Sequence, residues 1–186
     1  GGGMDLQAKI SFGTPGNLNS IAIDRFRFGQ TDLHAIVAPL AGGGWDMDVS
    51  GKRLNLVEWL ASEDDSLVRR KSEPLTLSLN IDDVQLYPNK SLQHVNGVMA
   101  FDGWVWHQGK VKSGQSENKL LDISLVSKEG KRFLYISSND AGRILQTFDY
   151  YDNLSGGKLS LRGEYDGMWP ESKFSGRARI DDFRVI

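Results

Sequence analysis

The sequence of 186 residues carries 22 Lys and Arg against 24 Asp and Glu, a formal net charge of -2. Charges so nearly balanced, gathered only in short runs such as Arg69-Arg70-Lys71, favour neither nucleic acid nor an anionic membrane surface as a partner. The absence of cysteine excludes a disulfide framework, a thiol nucleophile and thiolate metal sites, and no run approaches the ~18 consecutive apolar residues of a membrane-crossing helix.

In chain order, Gly1-Gly2-Gly3-Met4 reads as a cloning remnant, and residues 1–3 are set aside from the fold. Ile23-Asp24-Arg25-Phe26-Arg27-Phe28 is the first strand-like segment, with Phe26 and Phe28 two apart. Trp45-Asp46-Met47-Asp48-Val49 alternates strictly, so Trp45, Met47 and Val49 share one face of a strand. A helix is predicted from Leu54 to about Glu63, with Leu56, Trp59 and Leu60 at helical spacing. The clearest alternation is Leu75-Thr76-Leu77-Ser78-Leu79-Asn80-Ile81, which puts Leu77, Leu79 and Ile81 on a greasy face. Trp104 and Trp106 are two apart and are expected on one strand face, near Phe101. Leu121-Asp122-Ile123-Ser124-Leu125 alternates again and aligns Ile123 with Leu125. A second helix is predicted from about Ala141 to Phe148, capped by Asn139-Asp140, with Ile144, Leu145 and Phe148 on one side. Leu159-Ser160-Leu161-Arg162 returns to alternation, and Phe174 to Ile180 is a weaker case. Gly, Asn, Asp and Pro punctuate the runs, as in Tyr87-Pro88-Asn89-Lys90 and Lys128-Glu129-Gly130-Lys131.

These signals predict an all-β fold with two short helices, a strongly curved antiparallel sheet. More than ~40% of residues should be strand and less than ~15% helix. A pattern of Ile-Asp-polar-apolar-polar-apolar occurs three times, at Ile23, Ile81 and Ile180. It divides the chain into a first unit over 4–74 and a second over 75–186, with repeating parts at roughly 18–66 and 75–152 and a third unit opening at the end. The last residues, Ile180 to Ile186, stop within a strand-like pattern, which leads us to expect a piece of a longer protein.

Candidate chemistry is sparse. His34, His94 and His107 are dispersed with no metal-ligand spacing, so no metal is expected. The pairs Asp82-Asp83 and Asp181-Asp182 are adjacent in strands, which sends their side chains to opposite faces and argues against a catalytic carboxylate pair. No Gly-x-Ser-x-Gly and no phosphate-loop glycine pattern is present. Neither catalytic residues nor a cofactor are expected.

The segment from Ser138 to Leu159, reading Asp-Ala-Gly, a short apolar helix, Tyr-Asp, Gly-Gly and an apolar strand, is similar to the AsmA-like C-terminal region of YhdP-type envelope proteins. Phe174 to Val185 looks like that family's following strand. Ser50-Gly51-Lys52-Arg53-Leu54-Asn55-Leu56 resembles its lead into a helix, with Asn55 where the family often has Asp. The resemblance implies repeated β-groove units of an inner-membrane-anchored, periplasmic protein of the Gram-negative envelope. It also implies transport of phospholipid or another acyl-chain lipid toward the outer membrane, without enzymatic activity. Its partners would be that lipid and the rest of the longer chain, with no nucleic acid and no metal. The expected groove comprises Phe26, Phe28, Trp45, Met47, Val49, Leu77, Leu79, Ile81, Trp104, Trp106, Ile123, Leu125, Leu159 and Leu161. Ile144, Leu145 and Phe148 would serve as a helical cover. The alternative is a carbohydrate- or protein-binding β-sandwich without transport, its core filled and Trp104 and Trp106 exposed.

Overall fold

The computed structural model describes residues 3–14, 16–57, 71–115, 118–167 and 172–186. The fold is all-β, with 72% of residues in strands. Eleven strands form one sheet: β1 (Asp5–Phe12), β2 (Leu18–Phe28), β3 (Thr31–Pro39), β4 (Trp45–Asn55), β5 (Leu75–Tyr87), β6 (Lys90–Phe101), β7 (Trp106–Gln115), β8 (Asn118–Lys128), β9 (Lys131–Ser138), β10 (Leu154–Asp166) and β11 (Lys173–Val185). Spatial order follows chain order from β1 to β11, and the sheet is not closed. Among the described residues one complete helix, α1 (Ala141–Thr147), is inserted between β9 and β10.

Every neighbouring pair is antiparallel except β4 and β5, which run parallel. The sheet is mostly antiparallel, as expected, with this one parallel pair. Parallel neighbours need a crossover of a dozen or more residues, and residues 56–74 connect the two strands. The expected first helix is corrected at its start. Leu54 and Asn55 are the last residues of β4, opposite Val84 and Gln85. Helical backbone begins at Val57, whose amide donates to the Asn55 carboxamide oxygen at 3.0 Å. Asn55 thus ends the strand and caps the first helical residue. The rest of that predicted helix, with Trp59 and Leu60, lies outside the described residues.

The second predicted helix is present with the expected cap. The Asp140 carboxylate accepts from the Arg143 amide at 3.0 Å. At the other end Asp149 takes a left-handed backbone, φ 57°. The amides of Tyr150 and Asp149 return to the carbonyls of Leu145 and Gln146, a Schellman closure that satisfies the last carbonyls. Lys90, at the start of β6, pairs with Asp149 at 2.6 Å and Asp152 at 3.3 Å. The helix packs mainly on β10 and reaches β6. β6 and β10 are four places apart in the sheet, so the sheet curves around the helix.

Each Ile-Asp motif coincides with an irregularity in the ladder. In β2 the ladder shifts between Ile23 and Phe26. In β5 the ladder to β6 passes from Ile81 to Asp83 without a partner for Asp82, and His94 on β6 has φ 51°. In β11 it passes from Asp181 to Phe183, and Asp182 has φ 58°. Only β2 gains a residue there; in β5 and β11 one residue on each strand goes unpaired and the register continues unchanged. Ile81 and Val84, three apart, both join the core. The settings of the three copies differ: β2 lies between two antiparallel neighbours, β5 has one parallel neighbour, and β11 is an edge strand.

Candidate functional site

Register lines the alternating strands into continuous rows. One row runs Ala8, Ile23, Ala35, Val49, Leu79, Gly97, Val111, Ile123, Ile136, Leu161 and Ala178, one residue from each strand. The next runs Ile10, Ile21, Val37, Met47, Leu77, Met99, Gly109, Leu125, Leu134, Gly163 and Gly176. Neither contains a polar side chain. Cross-strand partners share a face, so these rows form one apolar surface across all eleven strands. The opposite face carries a row of His34, Ser50, Asn80, Asn96, Lys112, Asp122, Ser137, Ser160 and Arg179. A curved sheet of this kind separates an apolar side from a hydrated side without a second layer.

The expected groove residues gather on this surface. Trp45, Met47 and Val49 lie opposite Leu75, Leu77 and Leu79 in the parallel pair. Ile123 and Leu125 face Ile136 and Leu134, and Leu161 lies opposite Ile136. Leu159 and Phe26 pack against the buried cluster that includes Ile81. Phe28 ends β2 opposite the buried Thr31. Trp106 lies opposite Phe101, with rings 5.5 Å apart. Trp104 is the exception. It was expected on a strand face with Trp106, but it sits in the turn before β7. The Asp102 carboxylate builds that turn by accepting the amides of Trp104 at 2.8 Å and Val105 at 2.9 Å. Burial raises the Asp102 pKa, but these amides and nearby His107 outweigh it and hold the carboxyl below its usual range.

The surface differs from end to end. Beneath α1 it becomes core: Ile81 is 1% exposed, Leu121 2% and Ile144 4%. Next to this core an apolar cavity of about 720 Å³ lies between helix and sheet, lined by Ile123, Ile136, Leu145, Phe148, Leu161 and Ile180 among others. At the opposite end the lining is aromatic. Phe101, Trp104, Trp106 and Tyr165 border a cavity of about 340 Å³ with Leu125 and Leu134. The Phe174 ring lies over Gly163 and Gly176 and packs against Tyr165, ring centres 5.0 Å apart and planes tilted by 50°. Those glycines would otherwise leave the row bare. Between the two ends the row residues of the inner strands are half-buried, those of the edge strands β1 and β11 are exposed, and no second sheet faces them among the described residues.

Several lining residues escaped the sequence reading. Ile136 and Leu134 are masked by their neighbours Phe133 and Tyr135, which turn β9 into a continuous apolar run. Met99 is hidden in the same way between Val98 and Ala100. Val111, flanked by Lys110 and Lys112, carried a usable alternation signal.

The acidic pairs serve as ion-pair partners. Asp83 pairs with Arg53 at 2.7 Å and Asp181 with Arg179 at 2.8 Å. Among the described residues no group of three or more His, Asp or Glu side chains is placed to hold a metal ion. No family model matches the chain, and no curated protein sequence does.

Proposed function

We propose that this chain carries lipid acyl chains on the apolar face of its sheet, as a non-enzymatic part of a longer protein. The observation that supports this reading is the pair of apolar rows that cross eleven strands without one polar side chain. At ~4.8 Å between strands, such a row extends for roughly 50 Å, longer than an acyl chain. Each methylene withdrawn from water onto it is worth about 0.8 kcal/mol. With no fixed polar group along the floor, the binding free energy varies little with position, and a chain can slide. The resemblance of residues 138–185 to the AsmA-like family supports a periplasmic setting in a Gram-negative envelope. There the protein would be anchored in the inner membrane and serve phospholipid transport to the outer membrane.

A photo-crosslinking side chain introduced in cells tests the proposal by face. At Leu79 or Ile123, on the apolar side, it should capture phospholipid. At Ser78 or Asp122, on the polar side, it should not. Equal capture from both sides, or none from either in a folded protein, rejects lipid carriage and favours the carbohydrate- or protein-binding alternative.

A further inference from the structure

The aromatic end of the apolar face adjoins a second concavity, mainly apolar but with Asp102, His107, Ser127, Lys131 and Arg132 on its border. The cavity bordered by Phe101, Trp106 and Tyr165 and a smaller one of about 270 Å³, bordered by His107, Ser127 and Lys131, share three residues: Trp104, Val105 and Arg132. Arg132 therefore sits at the junction of the two cavities and brings a charged group to both. Its guanidinium lies 4.7 Å from the centre of the Tyr165 ring. It donates to the Trp106 carbonyl at 3.3 Å and the Ser172 hydroxyl at 2.8 Å. These contacts hold the side chain in place while leaving part of its fork of five donors unused. Among the described residues Arg132 joins no ion pair. The carboxylate at this spot, Asp102, is turned to the Trp104 and Val105 amides. The neighbouring Lys131 ammonium, paired with Glu164 at 3.2 Å, is more than 40% exposed.

A fixed, half-buried guanidinium with no carboxylate partner among the described residues is suited to a planar or tetrahedral oxyanion, which it can grip through two donors at once. Its position at the mouth of an aromatic cavity selects an amphiphile. Aromatic rings with polar edges favour the boundary between hydrocarbon and water. We infer that Arg132 receives the phosphate of a phospholipid whose acyl chains enter the adjoining apolar cavity. This rests on the acyl-carrying function proposed above and adds to it a headgroup position and a preference for phosphate-bearing lipids.

The test compares phosphatidylglycerol with diacylglycerol of the same acyl chains, each presented to the purified chain in detergent micelles. The readout is the ratio of the two affinities. The wild-type chain should prefer phosphatidylglycerol by roughly tenfold, the scale of one charge-assisted hydrogen-bonded contact. Arg132→Gln should bring the ratio close to one. Arg132→Lys, which keeps the charge and loses the fork, should fall between. Arg162→Gln, on the opposite face, should leave the ratio at the wild-type value. A wild-type ratio near one, or an unchanged ratio in Arg132→Gln, overturns the phosphate site while leaving acyl binding in place. Failure of both lipids to bind rejects the underlying acyl reading instead. Inorganic phosphate binding as tightly as phosphatidylglycerol also overturns the inference, because the apolar cavity would then contribute nothing.

Discussion

The two ends of the apolar face are built from the same alternation but differ in what covers them. At the α1 end Leu121 and Ile144 are sealed between helix and sheet. At the aromatic end Trp106 is 36% and Trp104 50% exposed. Alternation alone therefore sorts side chains between faces and leaves their use undecided. Where a helix roofs the face, one part is core that holds the fold together and the adjoining part lines the cavity between helix and sheet. Where no described element roofs it, the same rows are surface that a ligand can occupy. The helix is tied down at both of its own ends, by the Asp140 cap and by the Lys90 pairs. The aromatic rim depends on one carboxylate, Asp102, which shapes the turn carrying Trp104.

The comparison can be broken most readily at Leu121. Leu121→Ala should cost about 2–5 kcal/mol, the range for emptying a packed site, measured by urea unfolding. A cost below ~0.5 kcal/mol, typical of surface positions, would mean the α1 end is no core. The next effect belongs to the roof itself. Asp140→Ala removes the helix cap and should cost about 1 kcal/mol. Hydrogen exchange should show faster exchange in the α1 amides and none in the distant β2–β3 pair. Equal acceleration in both places would mean the helix is not a separately anchored cover. The smallest effect concerns the rim and pH. A carboxylate with a lower pKa folded than unfolded adds stability above its unfolded value, and that stability is lost as pH falls through the folded value. For Asp102 the loss should begin near the ordinary 3.8 and continue below it. The melting temperature of Asp102→Asn should thus fall below wild type at pH 7, and the gap should narrow toward pH 3. A gap independent of pH would remove the carboxylate's charge from the account.

Much of the candidate face was legible from residues alone. Leu75 to Ile81 and Leu121 to Leu125 alternate so strictly that their facing is fixed by the strand's period of two. Less was legible where both neighbours of a lining residue are apolar, as at Met99 and Ile136, because alternation then vanishes into a continuous run. Trp104 and Trp106 have the spacing of strand neighbours, yet the Asp102 turn ends the regular backbone between them. A two-residue spacing cannot distinguish a strand from a turn whose amides bond to a side chain.

The sequence by itself determined the all-β class, the facing within each strongly alternating strand, and the position and cap of the 141–147 helix. These depend on contacts within a few residues, and short-range chemistry sets them. Only the tertiary structure decided the parallel pairing of β4 with β5, the alignment of the rows across eleven strands, and the choice of which end is roofed. Register between strands is a long-range property, summed over bulges such as those after Ile23, Asp32 and Gln85 and over the connections between strands. A shift of one residue at any of these would turn a strand's apolar side to water. The continuous face exists because every such offset agrees with the others.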